Sequence, residues 1–186
     1  MIRYGCIVYL TLACLVCKGQ PDKLNSKMRA SLESHIGEKF HINNITDSTG
    51  KTVELDFTSS DITIIDLWFT TCAPCIAEMK QFASLLAGKE KKITIISLSI
   101  NRFAPWKDAL SGHNKTFSFL TAVPNWKHYI LQSPEDETGG VISNKRTDEL
   151  REKYKVFFYP AYFVVDKEGK ILARPQSAVA FMAGYK

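Results

Sequence analysis

The stretch that decides the fold spans residues 62–86 and reads ITIIDLWFTTCAPCIAEMKQFASLL. Its first eight residues are β-branched, apolar or aromatic apart from Asp66, which predicts a strand buried on both faces. From residue 73 to residue 86 apolar side chains recur every three or four positions, the pattern of an amphipathic helix. Cys72 and Cys75 therefore fall where a helix begins, directly after a buried strand.

The segments on either side extend this unit into an α/β fold. Residues 93–100 form a second apolar run, so a strand, a helix and a strand follow one another as in a parallel crossover. Residues 40–55 predict an N-terminal β-hairpin around a glycine-containing turn, and residues 161–173 predict a closing hairpin. Residues 101–155 between them are expected to be helical in part. The whole predicts a central mixed sheet flanked by helices.

Composition places the chain among compact globular proteins. It has 186 residues, 45% of them hydrophobic and 23% charged, which fits one domain and excludes collagen-like, low-complexity and wholly disordered chains. The formal net charge of +5 is small and no basic stripe accompanies it, so no nucleic-acid partner is expected. Five cysteines are too few for a disulfide-dense scaffold, which makes their positions more informative than their number.

Residues 1–20 have the layout of a secretory signal peptide. Arg3 precedes an apolar run over residues 5–16, and no acidic residue occurs before Asp22. An apolar run of this length is too short to cross a bilayer, which takes about 20 residues in a helix. A buried core helix is the structural alternative. The domain is therefore expected to be secreted and to work outside the cytoplasm, in the periplasm or cell envelope.

The boundary of this leader is ambiguous. Cleavage after a small-residue step near Gly19 and a lipoprotein-type site at Cys14 or Cys17 are both considered, although neither cysteine has a leucine three residues before it. A lipid anchor at one of them is a hypothesis. Residues 21–36 are expected to form a polar arm or short helix, and residues 37–186 the folded domain.

The two cysteines at the start of the predicted helix carry the strongest chemical signal. A thiolate at a helix N-terminus is stabilised by free N–H groups and by the helix dipole, so Cys72 is the candidate nucleophile. Cys75 lies one turn further on and could resolve a mixed disulfide formed at Cys72. The alternatives are a static disulfide, which would close a very small loop, and half of a zinc site. No second cysteine pair outside the leader and no paired histidines support zinc, so neither metal nor cofactor is expected.

Two acidic residues and a proline complete the candidate site. Asp66 interrupts a buried strand, where its pKa should be raised, which suits accepting and returning the proton of Cys75. A polar crevice or a lysine partner would be the structural explanation of the same residue. Glu78 follows Cys75 by three positions and could approach the dithiol, or else face solvent. Pro160 stands just before a predicted strand, where a cis Tyr159–Pro160 bond would account for it.

These motifs together resemble the thioredoxin superfamily, specifically its extracytoplasmic TlpA/ResA-like thiol-disulfide oxidoreductases. The match lies in WFTTCAPCIAEM at residues 68–79, in YKVFFYP at residues 154–160 and in FVVDKEGK at residues 163–170. The resemblance implies a thioredoxin-like fold with Cys72 as attacking and Cys75 as resolving cysteine of a redox-active disulfide. It further implies roles for Asp66 as the buried acid, Glu78 as the active-site acid, and Trp68, Tyr159 and Pro160 on the substrate side.

Three departures from the family pattern stand out. Thr71 and Lys80 replace a tryptophan and a proline that are common in relatives, and the chain after Ala173 is short. The last helix is therefore expected to be shortened.

The predicted function is thiol-disulfide exchange through Cys72-Ala73-Pro74-Cys75, in the reducing direction because the two intervening residues add neither charge nor histidine. The resemblance implies disulfide-bonded proteins of the cell envelope as substrates, apocytochrome c among them, and an upstream membrane electron donor. A peroxiredoxin-like thiol peroxidase is one alternative, but Ile65 and Phe69 stand where its proline and threonine would be. A non-catalytic interaction domain of the envelope that keeps the fold is the other.

Overall fold

The computed structural model describes residues 20–87, 89, 92–121, 123–132 and 145–185. The predicted signal peptide and the candidate lipid anchors Cys14 and Cys17 lie outside these residues. Within them, no helix combines the length and apolar character needed to cross a membrane. The helices are α1 (Gln20–Glu33), α2 (Ala73–Leu86), α3 (Phe103–Ala109), a 3-10 helix (Lys115–Thr121), α4 (Lys145–Lys153) and α5 (Ala178–Gly184). The strands are β1 (Ile45–Thr46), β2 (Thr52–Val53), β3 (Ile62–Trp68), β4 (Ile93–Ser99), β5 (Trp126–Ile130), β6 (Ala161–Val165) and β7 (Ile171–Ala173).

The strands form one mixed sheet in the order β2-β1-β5-β4-β3-β6-β7. Strands β3, β4 and β5 run parallel, whereas β6 is antiparallel to β3 and the two terminal hairpins are antiparallel. Strand β3 lies between β4 and β6 and is buried along its whole length, as its apolar composition predicted. The CAPC motif that follows β3 therefore lies at the end of the sheet where the carboxyl ends of the parallel strands meet.

The two faces of the sheet are covered by different elements. On one face Ile64 and Trp68 of β3 join a core cluster with α2, α3, the 3-10 helix and α5. On the other face Ile65 and Leu67 pack in a second cluster with Leu150 of α4. Because successive strand residues point to opposite faces, Asp66 points to the face that α2 covers.

The sequence predicted the central unit closely and the outer elements less well. Strand β3, helix α2 and strand β4 occupy the predicted positions, both hairpins are present, and α5 is short, as expected. The segment expected to be an arm or short helix contains α1. Strand β5 was not predicted, because Lys127 and His128 interrupt the apolar pattern of this five-residue strand.

Helix α1 is attached to the domain through its C-terminal turn. The Arg174 guanidinium donates to the Ser31 carbonyl and to the Ser34 hydroxyl, and it stacks 4.4 Å from the centre of the Phe163 ring. Burial lowers the pKa of Arg174 to about 10. The guanidinium therefore supplies a cation and hydrogen-bond donors at the end of the helix where carbonyl groups lack partners.

Candidate functional site

The two cysteines form a disulfide at the first turn of α2. Cys72 is the N-cap residue, in extended conformation, and its Sγ accepts the backbone N–H of Cys75 at 3.3 Å. Pro74 lies in the first turn, where a helix leaves its N–H groups without intrahelical partners. Cys72 retains 4% of its surface exposed and Cys75 none, so Cys72 is the more accessible residue of the pair.

Asn101, which the sequence analysis missed, holds the loop before the disulfide. Its Oδ1 accepts the backbone N–H of Thr70 at 2.7 Å and the Ser99 hydroxyl at 3.0 Å, and its Nδ2 donates to the Thr70 hydroxyl at 3.0 Å. The residue is 1% exposed and lies just beyond the carboxyl end of β4. The parallel pairing of β3 and β4 brings the carboxyl end of β4 beside the CAPC motif. The predicted strand-helix-strand crossover was the sequence feature from which the position of Asn101 could have been predicted.

The Tyr159–Pro160 bond is cis. The Tyr159 ring packs edge-on against Phe69, with ring centres 5.5 Å apart, so this segment contacts the chain just before the disulfide. Burial raises the pKa of Tyr159 to about 12, and the side chain is half-buried. Beside Pro160 a groove of about 180 Å³ lies between α1 and residues 156–161, with Met28, Phe157 and Gln176 among its walls.

Trp68 does not share this surface. The structure places it in the core with no exposed surface and its ring 6.0 Å from that of Phe117. This differs from the expected substrate contact, because a fully buried side chain presents nothing to a partner in this conformation. Position 68 is the last residue of β3, so its side chain points to the same face as Ile64, beneath α2.

Asp66 is fully buried on the α2 side of β3. Its Oδ2 accepts the Ser97 hydroxyl at 2.9 Å, so its partner is a hydroxyl group rather than a lysine. Burial raises the pKa of Asp66 to about 7, the Ser97 hydrogen bond opposes this rise, and the charge of Glu78 adds to it. The carboxyl group can therefore take up or release a proton near neutral pH.

Glu78 connects α2 to α5. One carboxylate oxygen, Oε2, accepts the Tyr162 hydroxyl at 2.9 Å and the backbone N–H groups of Ala178 and Val179 at 3.0 and 3.4 Å. Glu78 is thus half-buried, not free in solvent, and it places a negative charge at the N-terminus of α5. Burial is also the main reason that the pKa of Tyr162 is raised.

The described residues contain no group of three His, Cys, Asp or Glu side chains placed to hold a metal ion. Asp66 pairs with Ser97, and Glu78 pairs with Tyr162, on the side of the sheet that holds the disulfide and α2. Ser97 and Tyr162 were not predicted. They are the strand neighbours of Asp66 on β4 and β6, a relation that only the sheet register reveals.

Comparison with known proteins agrees with this geometry. The Redoxin family model matches residues 36–179. Thiol-disulfide oxidoreductases ResA of Bacillus thuringiensis subsp. konkukian and of Bacillus cereus are each 29% identical over 131 residues, which is 69% of this chain and 62% of the relative. The chain thus spans less than two thirds of the length of these curated relatives.

Solved structures share the fold at lower identity. A thiol:disulfide interchange protein from Bacteroides sp. is 22% identical, with a TM-score of 0.58 over 82% of this chain and 88% of the other. The thioredoxin domain of a thiol-disulfide oxidoreductase from Bacteroides vulgatus is 24% identical, with a TM-score of 0.54 over 78% of this chain and 93% of the other. The fold is therefore thioredoxin-like, and with most of its length matched by the family model, the chain belongs to the Redoxin family.

Proposed function

We propose that this protein is a thiol-disulfide oxidoreductase that reduces disulfides of extracytoplasmic proteins. The observation that carries the proposal is the Cys72–Cys75 disulfide at the start of α2, with its more accessible cysteine at the N-cap and a fully buried carboxyl group on the same side of the sheet. The names of the ResA relatives point to the same reaction.

Cys72 is the attacking residue in this proposal. As a thiolate it would keep the Cys75 N–H as a hydrogen-bond donor and lie at the positive end of the α2 dipole, and both effects lower a thiol pKa. It attacks one sulfur of the substrate disulfide, a mixed disulfide forms, and the other substrate sulfur leaves as a thiolate. The N-cap position thus both activates the sulfur and presents it to the substrate.

Cys75 is the resolving residue. Its thiol gives its proton to the Asp66 carboxylate, and its sulfur forms a bond with Cys72 Sγ while the bond from Cys72 to the substrate breaks. The substrate leaves with two reduced sulfurs, and Cys72 and Cys75 are left as the disulfide. Burial of both Cys75 and Asp66 keeps bulk water from competing for this proton.

The groove beside Pro160 is the proposed contact for the substrate polypeptide. It adjoins the segment that packs against Phe69, and Phe157, 54% exposed, forms part of its wall. Tyr159 and Pro160 would position the extended chain on either side of its disulfide.

The cellular setting follows from the leader and from the direction of electron flow. A secretory leader takes the domain outside the cytoplasm, where disulfides of envelope proteins, including apocytochrome c, are available. Each turnover oxidises the Cys72–Cys75 pair, so an upstream membrane donor must supply two electrons and two protons to reduce it again.

The decisive experiment uses Cys75→Ser, which can attack a disulfide but cannot resolve the product. Incubated with a peptide disulfide, this variant should accumulate a mixed disulfide through Cys72, detectable by mass spectrometry. Cys72→Ser is the matched control and should accumulate none. Failure of Cys75→Ser to form the adduct would refute disulfide exchange, and rapid stoichiometric consumption of peroxide by Cys72 would favour the peroxidase instead.

A further inference from the structure

A line of buried hydrogen bonds ends on Asp66. Trp126 of β5 donates its indole Nε1–H to Ser97 Oγ at 2.8 Å, and Ser97 of β4 donates its hydroxyl to Asp66 Oδ2 at 2.9 Å. Ser97 and Asp66 have no exposed surface, and Trp126 has 4%. The three residues lie on three adjacent parallel strands, so the line crosses the sheet beneath α2.

The chemistry of the donors fixes the direction of this line. An indole N–H can only donate, so Ser97 Oγ must accept it. The single hydroxyl proton of Ser97 is then free to point to Asp66, where it stabilises the ionised carboxylate. A hydroxyl that already accepts a hydrogen bond is also polarised into a better donor. Trp126 therefore acts on Asp66 through Ser97.

The other groups around Asp66 do not replace this donor. The second oxygen, Oδ1, has no hydrogen-bond partner among the described residues. Glu78 of α2 opposes ionisation through its charge, and Tyr162 of β6 donates its hydroxyl to Glu78. Cys75 of α2 is held in the disulfide and does not titrate in this state. On β5, burial lowers the pKa of His128 to about 4, so it is neutral at neutral pH.

We propose that Trp126 and Ser97 are positioning residues that direct one hydroxyl proton onto Asp66 and thereby control when this carboxyl group can accept the proton of Cys75. The second half of this statement rests on the proposed function, whereas the first does not. Removal of either residue leaves Asp66 buried next to Glu78 with a weaker donor or none. The carboxyl group then stays protonated to higher pH, and the resolving step begins at higher pH.

The test separates the two halves. In the oxidised protein, which cannot turn over, the carboxyl ¹³C shift of Asp66 is followed from pH 4 to pH 10, with Asp66→Asn to assign the signal. Ser97→Ala should move the midpoint up by about one pH unit or more, the worth of a hydrogen bond to an ionised group. Trp126→Phe, which keeps a ring beside Phe82, should move it up by less, about half a unit.

Two control variants distinguish positioning from packing. Ser97→Thr keeps the hydroxyl and should restore the original midpoint. Trp106→Phe removes an equally buried indole from the same core cluster, but this N–H has no hydrogen-bond partner among the described residues, so the midpoint should not move. An unchanged or lowered midpoint in Ser97→Ala overturns the proposal. Equal shifts in Trp126→Phe and Trp106→Phe overturn the role of Trp126.

The pH profile of disulfide exchange then tests the link to turnover. In Ser97→Ala the acidic limb of the profile should shift to higher pH by the same amount as the titration midpoint of the Asp66 carboxyl group. A shifted midpoint with an unshifted limb would refute Asp66 as proton acceptor in the proposed function while supporting the hydrogen-bonded line itself.

Discussion

Replacing Asp66 with asparagine should stabilise the protein at neutral pH. Burial raises the pKa of this carboxyl group from 3.8 to about 7. Between these values the folded protein holds a proton that the unfolded chain has already lost, so stability present below pH 4 is lost as the pH rises to 7. The difference of about three pH units corresponds to about 4 kcal/mol of unfolding free energy, which Asp66→Asn should recover by pH 8.

The assay is urea unfolding of the oxidised protein, wild type and Asp66→Asn, at intervals from pH 4 to pH 8. The informative quantity is the free energy of unfolding of the variant minus that of the wild type, because other titrating groups cancel in it. This difference should rise by about 4 kcal/mol over the range and level off above pH 7. A difference that is independent of pH would refute a raised pKa at Asp66.

Asp56→Asn provides a control of opposite sign. Its carboxylate accepts hydrogen bonds from the hydroxyl and the backbone N–H of Thr58, which lower its pKa. Its stabilising effect is thus present above the pKa of the unfolded chain and is lost in acid. With the measurements extended down to about pH 2, the variant-minus-wild-type difference should fall as the pH rises to 4 and be level above about pH 5.

Two other predictions concern the supports of the site. Glu78→Gln removes the negative charge at the start of α5 and should cost about 1–3 kcal/mol of unfolding free energy. Hydrogen exchange at the Ala178 and Val179 amides should become faster, and unchanged exchange there would contradict the role of Glu78 as an anchor of α5. Asn101→Ala leaves the Thr70 N–H without its partner and should cost about 1–3 kcal/mol in urea unfolding. Asn114→Ala, which removes only exposed hydrogen bonds to Asp108 and Thr116, should cost less, and equal costs would contradict the role of Asn101 as a support of the site.

Local sequence patterns were sufficient for the centre of the fold. The apolar runs of β3 and β4 and the periodic apolar face of α2 predict buried strands and an amphipathic helix without ambiguity, because the pattern lies within each segment itself. The short strand β5 was missed because its middle residues are only half-buried and include Lys127 and His128. Its place in the sheet depends on pairing with β4, which a local pattern does not encode.

The candidate site divides in the same way. Cys72, Cys75 and Pro160 belong to short motifs, and the burial of Asp66 follows from the strand that contains it. Ser97 and Asn101 have no such motif, since each acquires its partner only when β4 aligns with β3. The contact of Glu78 with α5 joins residues 100 positions apart, so an amphipathic pattern on α2 could not reveal it.

The register between β3 and β4 links the isoleucines of these strands to the ionisation of Asp66. Three pairs of isoleucines, Ile62 with Ile93, Ile64 with Ile95 and Ile65 with Ile96, fix the register by burying their side chains on matched faces. The same register places Asp66 beside Ser97. A slip of one residue would turn Ser97 to the opposite face and leave a buried acid with no donor. The isoleucines, which have no ionisable group, thus help to set the pKa of Asp66 by fixing this register.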